Sequence, residues 1–180
     1  MPSTPDELSR LLAPTYLDDV EGLSLDDIRR MRTECQEAEG ALSYLRRLIQ
    51  GRMDIVHAYM ERPEGSDAPD LSSVVDNLAG IMAGPGRPAG PGRNPIFHSP
   101  DTDDMEAMTT ELDAILGAGD IGHLATMDSE QLNDLAGRLR QLENRVSGER
   151  RGLHERIDTL QAELVERHKS GRASVDGLLS

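Results

Sequence analysis

The chain has 180 residues, 33 of them acidic and 19 basic, for a net charge of −14, with no Trp, one Phe and three Tyr. Its apolar residues are mainly Leu, Met, Ala, Ile and Val, which suits helix seams and argues against a deep sandwich built on β-branched and aromatic strands. The charge argues against naked nucleic acid or an anionic membrane as a partner over the whole surface. A basic protein partner, or charge kept for solubility alone, fits better.

A single cysteine, Cys35, leaves no internal disulfide and no cysteine zinc site, so a cytoplasmic location follows most simply. No apolar run reaches the length of a membrane span, and no signal peptide is expected before residue 30.

In chain order, residues 3–13 predict a short opening helix. Thr4 is its cap, Pro5 sits in the first turn, and Asp6 and Glu7 stand near the positive helix end. Pro14 ends it, and an acidic connector runs from Leu17 to Gly22. This N-terminal segment, 1–22, precedes a first long helix in 23–62. Ser24 is its cap, with Asp27 at the capping-box position. Ile28, Met31, Cys35, Ala38, Leu42, Leu45, Ile49, Val56 and Tyr59 then recur at alternating spacings of three and four, with Arg52 filling one place. That is an a/d heptad seam, stopped by Pro63 and Gly65.

Residues 63–127 form a long connection with two short amphipathic pieces. One holds Leu71, Val74, Val75, Leu78, Ile81 and Met82; the other holds Met105, Met108, Leu112, Ile115 and Leu116. Between them GPGRPAGPGRNP, at 84–95, reads as a flexible Pro/Gly linker. It is not a phosphate loop, because it lacks the Gly-Lys-Ser/Thr ending and follows no strand. Packing against the long helices is the expected role of both short pieces. A second long helix, 128–170, starts at Asp128 or Ser129. Its seam is Leu132, Leu135, Leu139, Leu142, Val146, Leu153 and Leu160, with Glu149 and Arg156 at two d places. Lys169, Ser170 and Gly171 end it, leaving a tail at 171–180. The expected fold is therefore all-α: a long antiparallel coiled-coil hairpin with short accessory helices.

Catalytic signals are absent. His57, His98, His123, His154 and His168 are scattered without metal-ligand spacing, and no nucleophile set stands out. The expectation is no enzyme, no catalytic residue, no metal and no cofactor.

The informative feature is a repeat. The first long helix carries Glu39, Ser43, Arg46, Gln50 and Asp54; the second carries Glu143, Ser147, Arg150, His154 and Asp158, at the same spacings. On a helix each set falls within an arc of roughly 80°, one narrow polar stripe beside the seam. Glu and Arg fall at e, Ser and Gln or His at b, Asp at f. In an antiparallel pair e faces e, so the two stripes are expected to converge on one face about an approximate two-fold axis, with Arg46 opposite Arg150. A solvated coiled-coil flank is the plain alternative. Against it stand the matched serines, mediocre residues for a helix interior, and the repulsion between two facing arginines unless something anionic lies between them. The polar places in the seam, Arg52, Glu149 and Arg156, add weakly to the same argument, since arginine stems also snorkel without function.

A two-fold symmetric anion with planar hydrogen-bonding edges fits such a site. Arginine forks onto phosphate or onto O6 and N7 of guanine, carboxylate accepts from guanine N1–H and N2–H, and serine donates to phosphate. A cyclic dinucleotide of guanine meets all of these demands.

The doubled pattern over both long helices resembles the signature of the RsiG family, actinobacterial anti-sigma factors that bind cyclic di-GMP. The resemblance implies an antiparallel hairpin holding an intercalated pair of cyclic di-GMP molecules and, when loaded, sequestering a sporulation sigma factor of the WhiG type. It implies as ligand-binding residues Glu39, Ser43, Arg46, Gln50, Asp54, Glu143, Ser147, Arg150 and Asp158, with His154 where the pattern has glutamine. Two alternatives stay open: a coiled-coil adaptor with no nucleotide ligand, and an effector-binding domain acting on a target other than a sigma factor.

Overall fold

The computed structural model describes residues 5–62 and 102–170. The expectations for Thr4, for the piece at 71–82, for the linker at 84–95 and for the tail at 171–180 lie outside the described residues. The described chain is all-α, with two long helices paired antiparallel as the sequence predicts. Helix α1 spans Pro5–Leu12, α2 Leu25–Met60, α3 Thr102–Leu116 and α4 Ser129–Lys169. Stretches of 3-10 helix lie at Pro14–Leu17, Val20–Gly22 and Ala118–Thr126.

The helix starts follow local chemistry. The Asp27 N–H donates to the Ser24 hydroxyl oxygen at 3.1 Å, and that hydroxyl donates to the Asp27 carboxylate at 2.6 Å. The Ser24 bond, with Arg30 next, holds the Asp27 carboxyl below its ordinary range. Helix α4 opens on a reciprocal capping box. The Gln131 N–H donates to Asp128 at 2.8 Å, and the Asp128 N–H donates to the Gln131 side chain at 3.0 Å.

The chain divides into two compact units. The first contains α1, the turns at 14–22, α2 as far as Ser43 and α4 from Ser147. Its core holds Leu11, Val20, Leu25, Ile28, Cys35, Ala38, Leu42, Leu153, Leu160 and Leu164, all buried. Arg32 bonds the Gln161 side chain while Arg150, further toward the start of α4, bonds Glu39, further along α2. The two helix segments are thus antiparallel. The second unit contains α2 from Tyr44, α3 from Met105, the 3-10 turns at 118–126 and α4 as far as Val146. Its core holds Leu45, Ile49, Val56, Tyr59, Leu112, Leu116, Leu124, Leu132, Leu135, Leu139, Leu142 and Val146. Met31, placed in the seam by sequence, is only half-buried. The second short piece of the connection is a real helix, α3, and its buried Leu112 and Leu116 pack it into this unit.

Three arginines fasten the accessory segments, each at the carbonyl end of a short helix where cations are favoured. In the first unit Arg156 donates to the carbonyls of Leu12 at 2.6 Å and Ala13 at 3.3 Å, closing the end of α1. One turn earlier stands Gly152. A Cβ there would lie 2.9 Å from Leu12 Cδ2, so its missing side chain lets α1 approach α4 closely. In the second unit Arg52 donates to the Leu116 carbonyl and to Asp113, both at 2.6 Å, closing the end of α3. Arg167, only 6% exposed, donates to the carbonyls of Val20, Glu21 and Leu23 and pairs with Glu163 at 2.7 Å. The sequence marks the helix end at Lys169, Ser170 and Gly171 and assigns Arg167 no role. Arg167 instead extends the packed interface of α4 beyond Leu160, and every buried donor it offers to these carbonyls is satisfied.

Candidate functional site

All ten stripe residues lie where the sequence put them, five within α2 and five within α4. Exposure is graded alike on both helices. The e-position residues Glu39, Arg46, Glu143 and Arg150 are half-buried, as are Ser43, Ser147 and Gln50, while Asp54 and Asp158 are exposed. His154 is exposed where Gln50 is half-buried, so the one chemical departure from the repeat is also a departure in burial.

In the first unit the residues gather on Glu39. Its Oε1 accepts from the Ser43 hydroxyl at 2.6 Å and from Arg150 Nη2 at 2.8 Å and Nε at 3.1 Å. His154 Nε2 stands 3.2 Å from the same oxygen. Partial burial works against ionisation of this carboxyl. The Ser43 bond, the Arg150 fork and the nearby His154 outweigh it and hold Glu39 below the usual carboxylate range. Glu39 is thus an ionised acceptor at neutral pH, and it fixes the plane of the Arg150 guanidinium.

In the second unit Arg46 donates Nε to Glu143 Oε1 at 2.8 Å, with the glutamate side chain 17% exposed and the arginine 35%. The same bond, arginine of one long helix to glutamate of the other, therefore recurs in both units at matched positions of the repeat. The anionic group expected beside each arginine is thus, in each unit, a glutamate of the other long helix. Each arginine's bonded partner is the glutamate one heptad before the opposite arginine, so its charge is met by a carboxylate within its own unit.

Two of the polar seam residues, Arg52 and Arg156, are engaged away from the stripes. Arg52 and Arg156 occupy matched places in the repeat, but they are directed to the ends of α3 and α1. Sequence reading weighed them as weak support for an anion site. Their partners include backbone carbonyls distant in sequence, contacts that no local spacing reports.

Taken by itself, each unit offers a guanidinium locked in a defined plane, bordered by a serine hydroxyl or an amide and by an exposed aspartate. Such a set can donate to and accept from planar hydrogen-bonding edges. No helix among the described residues is long and apolar enough to cross a membrane.

A family model described as RsiG-like matches residues 14–82 and 119–180. The matched segments take in both long helices and every stripe residue, and cover well over half of the chain. No curated protein matches the chain.

Proposed function

The chain belongs to the RsiG-like family, whose members act as anti-sigma factors, and on that premise we propose that cyclic di-GMP binds its two stripes and gates its hold on a sigma factor of the WhiG sporulation type. The protein is a cytoplasmic, non-enzymatic regulator in this reading. The ligand is its only small-molecule partner, and it touches neither nucleic acid nor membrane. Glu39, Ser43, Arg46, Gln50 and Asp54 on α2 bind the ligand together with Glu143, Ser147, Arg150, His154 and Asp158 on α4.

The observation that carries the reading is the arginine–glutamate bond repeated at matched positions in both units. It orients each guanidinium before any ligand arrives, Arg150 through two N–H groups and Arg46 through Nε, and preorganisation of that kind lowers the cost of binding. Guanine O6 and N7, or a phosphate, then accepts from the outer N–H groups, while Asp54 and Asp158 accept from guanine N1–H and N2–H. The acidic surface complements the basic DNA-binding faces of a sigma factor, and covering those faces silences it.

A second reading keeps a claim, because the same bonds satisfy both arginines with no ligand present. A coiled-coil adaptor without a nucleotide would look the same in each unit. Calorimetric titration with cyclic di-GMP, with cyclic di-AMP as control, separates the two. The proposal expects saturable binding of cyclic di-GMP, far tighter than that of cyclic di-AMP, lost in Arg46→Ala/Arg150→Ala with helix content unchanged, and retained or improved in His154→Gln. Sigma affinity is then measured with and without ligand, with an expected gain of about tenfold, about 1.4 kcal/mol, and a reciprocal gain in ligand affinity when sigma is present. Retained binding in the double arginine variant, or equal sigma capture in both conditions, favours the adaptor.

A further inference from the structure

The internal repeat extends further than the ten stripe residues. Laid over one another in register, residues 39–54 and 143–158 share Glu39 with Glu143, Ser43 with Ser147, Arg46 with Arg150, Arg47 with Arg151, Arg52 with Arg156 and Asp54 with Asp158. The structure accounts for most of these matches. Glutamate, serine and arginine form the bonded clusters, aspartate lies exposed on the stripe, and Arg52 and Arg156 close α3 and α1. One matched pair is left without work. Arg47 and Arg151 make no side-chain hydrogen bond or ion pair with any described residue.

Their positions are specific. Arg47 follows Ser43 by one helical turn and precedes Gln50 by nearly one, so it borders both on the helix surface. It shares the f row with Asp54, two turns along. Arg151 stands in the same relation to Ser147, His154 and Asp158. Arg151 is exposed and Arg47 half-buried.

Charge gives them a task. Each stripe holds two carboxylates and one guanidinium, and that guanidinium is already bonded to a glutamate in its own unit. Each stripe is therefore net negative as it stands, yet the proposed ligand is a dianion. An anion placed on such a surface is repelled unless another cation lies within reach. Among the described residues, the matched, unengaged cation beside each stripe is Arg47 on α2 and Arg151 on α4.

We infer that Arg47 and Arg151 are ligand-binding residues, each an outer guanidinium of its own unit that takes a phosphate of the cyclic dinucleotide while the neighbouring Arg46 or Arg150 holds a planar edge. The inference rests on the proposed cyclic di-GMP site and adds to it the residues that balance its charge. A side chain on the f row faces away from the seam, so replacing it leaves the helix pair intact.

The experiment is calorimetric titration of the full chain with cyclic di-GMP, without sigma factor, at low and at moderate salt. Arg47→Gln and Arg151→Gln should each weaken binding roughly threefold and together about tenfold, about 1.4 kcal/mol. The double variant should also lose part of the salt dependence of binding. Arg47→Lys/Arg151→Lys, which keeps the charge, should stay close to wild type. Arg138→Gln removes an exposed cation from another face of α4 and should change nothing. Wild-type affinity in Arg47→Gln/Arg151→Gln overturns the inference while leaving the proposed function in place. So does a double variant that binds ligand normally but loses sigma, because the pair then belongs to the protein interface. Failure of the wild-type chain to bind cyclic di-GMP overturns the proposed function, and this inference with it.

Discussion

Replacing Glu39 with glutamine tests whether the carboxylate cluster stabilises the first unit. Glutamine keeps the length of the side chain and one acceptor oxygen but removes the charge. The carboxylate serves Ser43 and two N–H groups of Arg150, with His154 close by, and its side chain is only 19% exposed beside an Arg150 that is 23% exposed. Hydrogen bonds to a charged group contribute about 1.5–3 kcal/mol against about 1 kcal/mol for neutral ones, so the change should cost about 1–2 kcal/mol. For a chain of this size that lowers the melting midpoint by about 3–6 °C. The pH dependence has a definite sign. Glu39 titrates below its ordinary value of 4.5 when folded, so its contribution is complete above that value and is lost as pH falls through the folded one. Thermal melts followed by helix circular dichroism should therefore separate wild type from Glu39→Gln near neutral pH. The two should converge in acid, well below 4.5. Equal midpoints at neutral pH would refute the stabilising role. A gap that persists undiminished in strong acid would refute its assignment to the ionised carboxylate.

Two other expectations follow from the same packing. Cys35 is fully buried and its thiol is pushed up, first by burial, so thiol reagents should label it only on unfolding; rapid labelling of the folded chain would contradict its place in the seam. Arg156→Ala should release α1 from α4, because it removes the donor to Leu12 and Ala13. Limited proteolysis should then cut near residues 12–16 faster than in wild type, while the helix signal falls only slightly.

How much was legible in the sequence depended on the range of the interaction. The long helices were readable because caps, breakers and heptads act within a few residues: Ser24, Asp128 and Lys169 stand at or beside the ends the structure gives. The seam was readable for the same reason, and Ile28, Leu42, Leu139 and Leu153 are buried as expected. The membership of the stripe was readable because the chain states it twice. What the sequence could not supply was the partner of each charged group. Heptad register gives Arg46 a place but not a partner; the bond runs to Glu143, since an ion pair is chosen by reach and charge across the helix interface. Arg52 and Arg156 read as polar breaks in a heptad seam, and nothing local marks Arg167. Each is a donor to carbonyls of a segment far away in sequence, and the need for it arises only once that segment has docked.

These arginine contacts bear on how a ligand would act. In the proposed function the free protein is not held apart by repelling guanidiniums, because each already has a carboxylate. A ligand therefore gains little by cancelling repulsion, and it must compete with or extend an existing bond. Exchange of one charge-assisted partner for another is close to neutral in free energy, and the surplus has to come from groups the free protein leaves exposed. In the proposed site Asp54 and Asp158 would provide guanine recognition, and Arg47 and Arg151, which bond no described residue, would provide positive charge. Selectivity for guanine and affinity for phosphate are then assigned to different residues. Removing Asp54 and Asp158 by alanine substitution should bring cyclic di-GMP and cyclic di-AMP affinities closer together. Removing Arg47 and Arg151 should weaken both ligands by a similar factor. The two ratios, read from one set of titrations, distinguish this division of labour from a site in which every residue contributes to both; equal loss of selectivity in both variants would refute it.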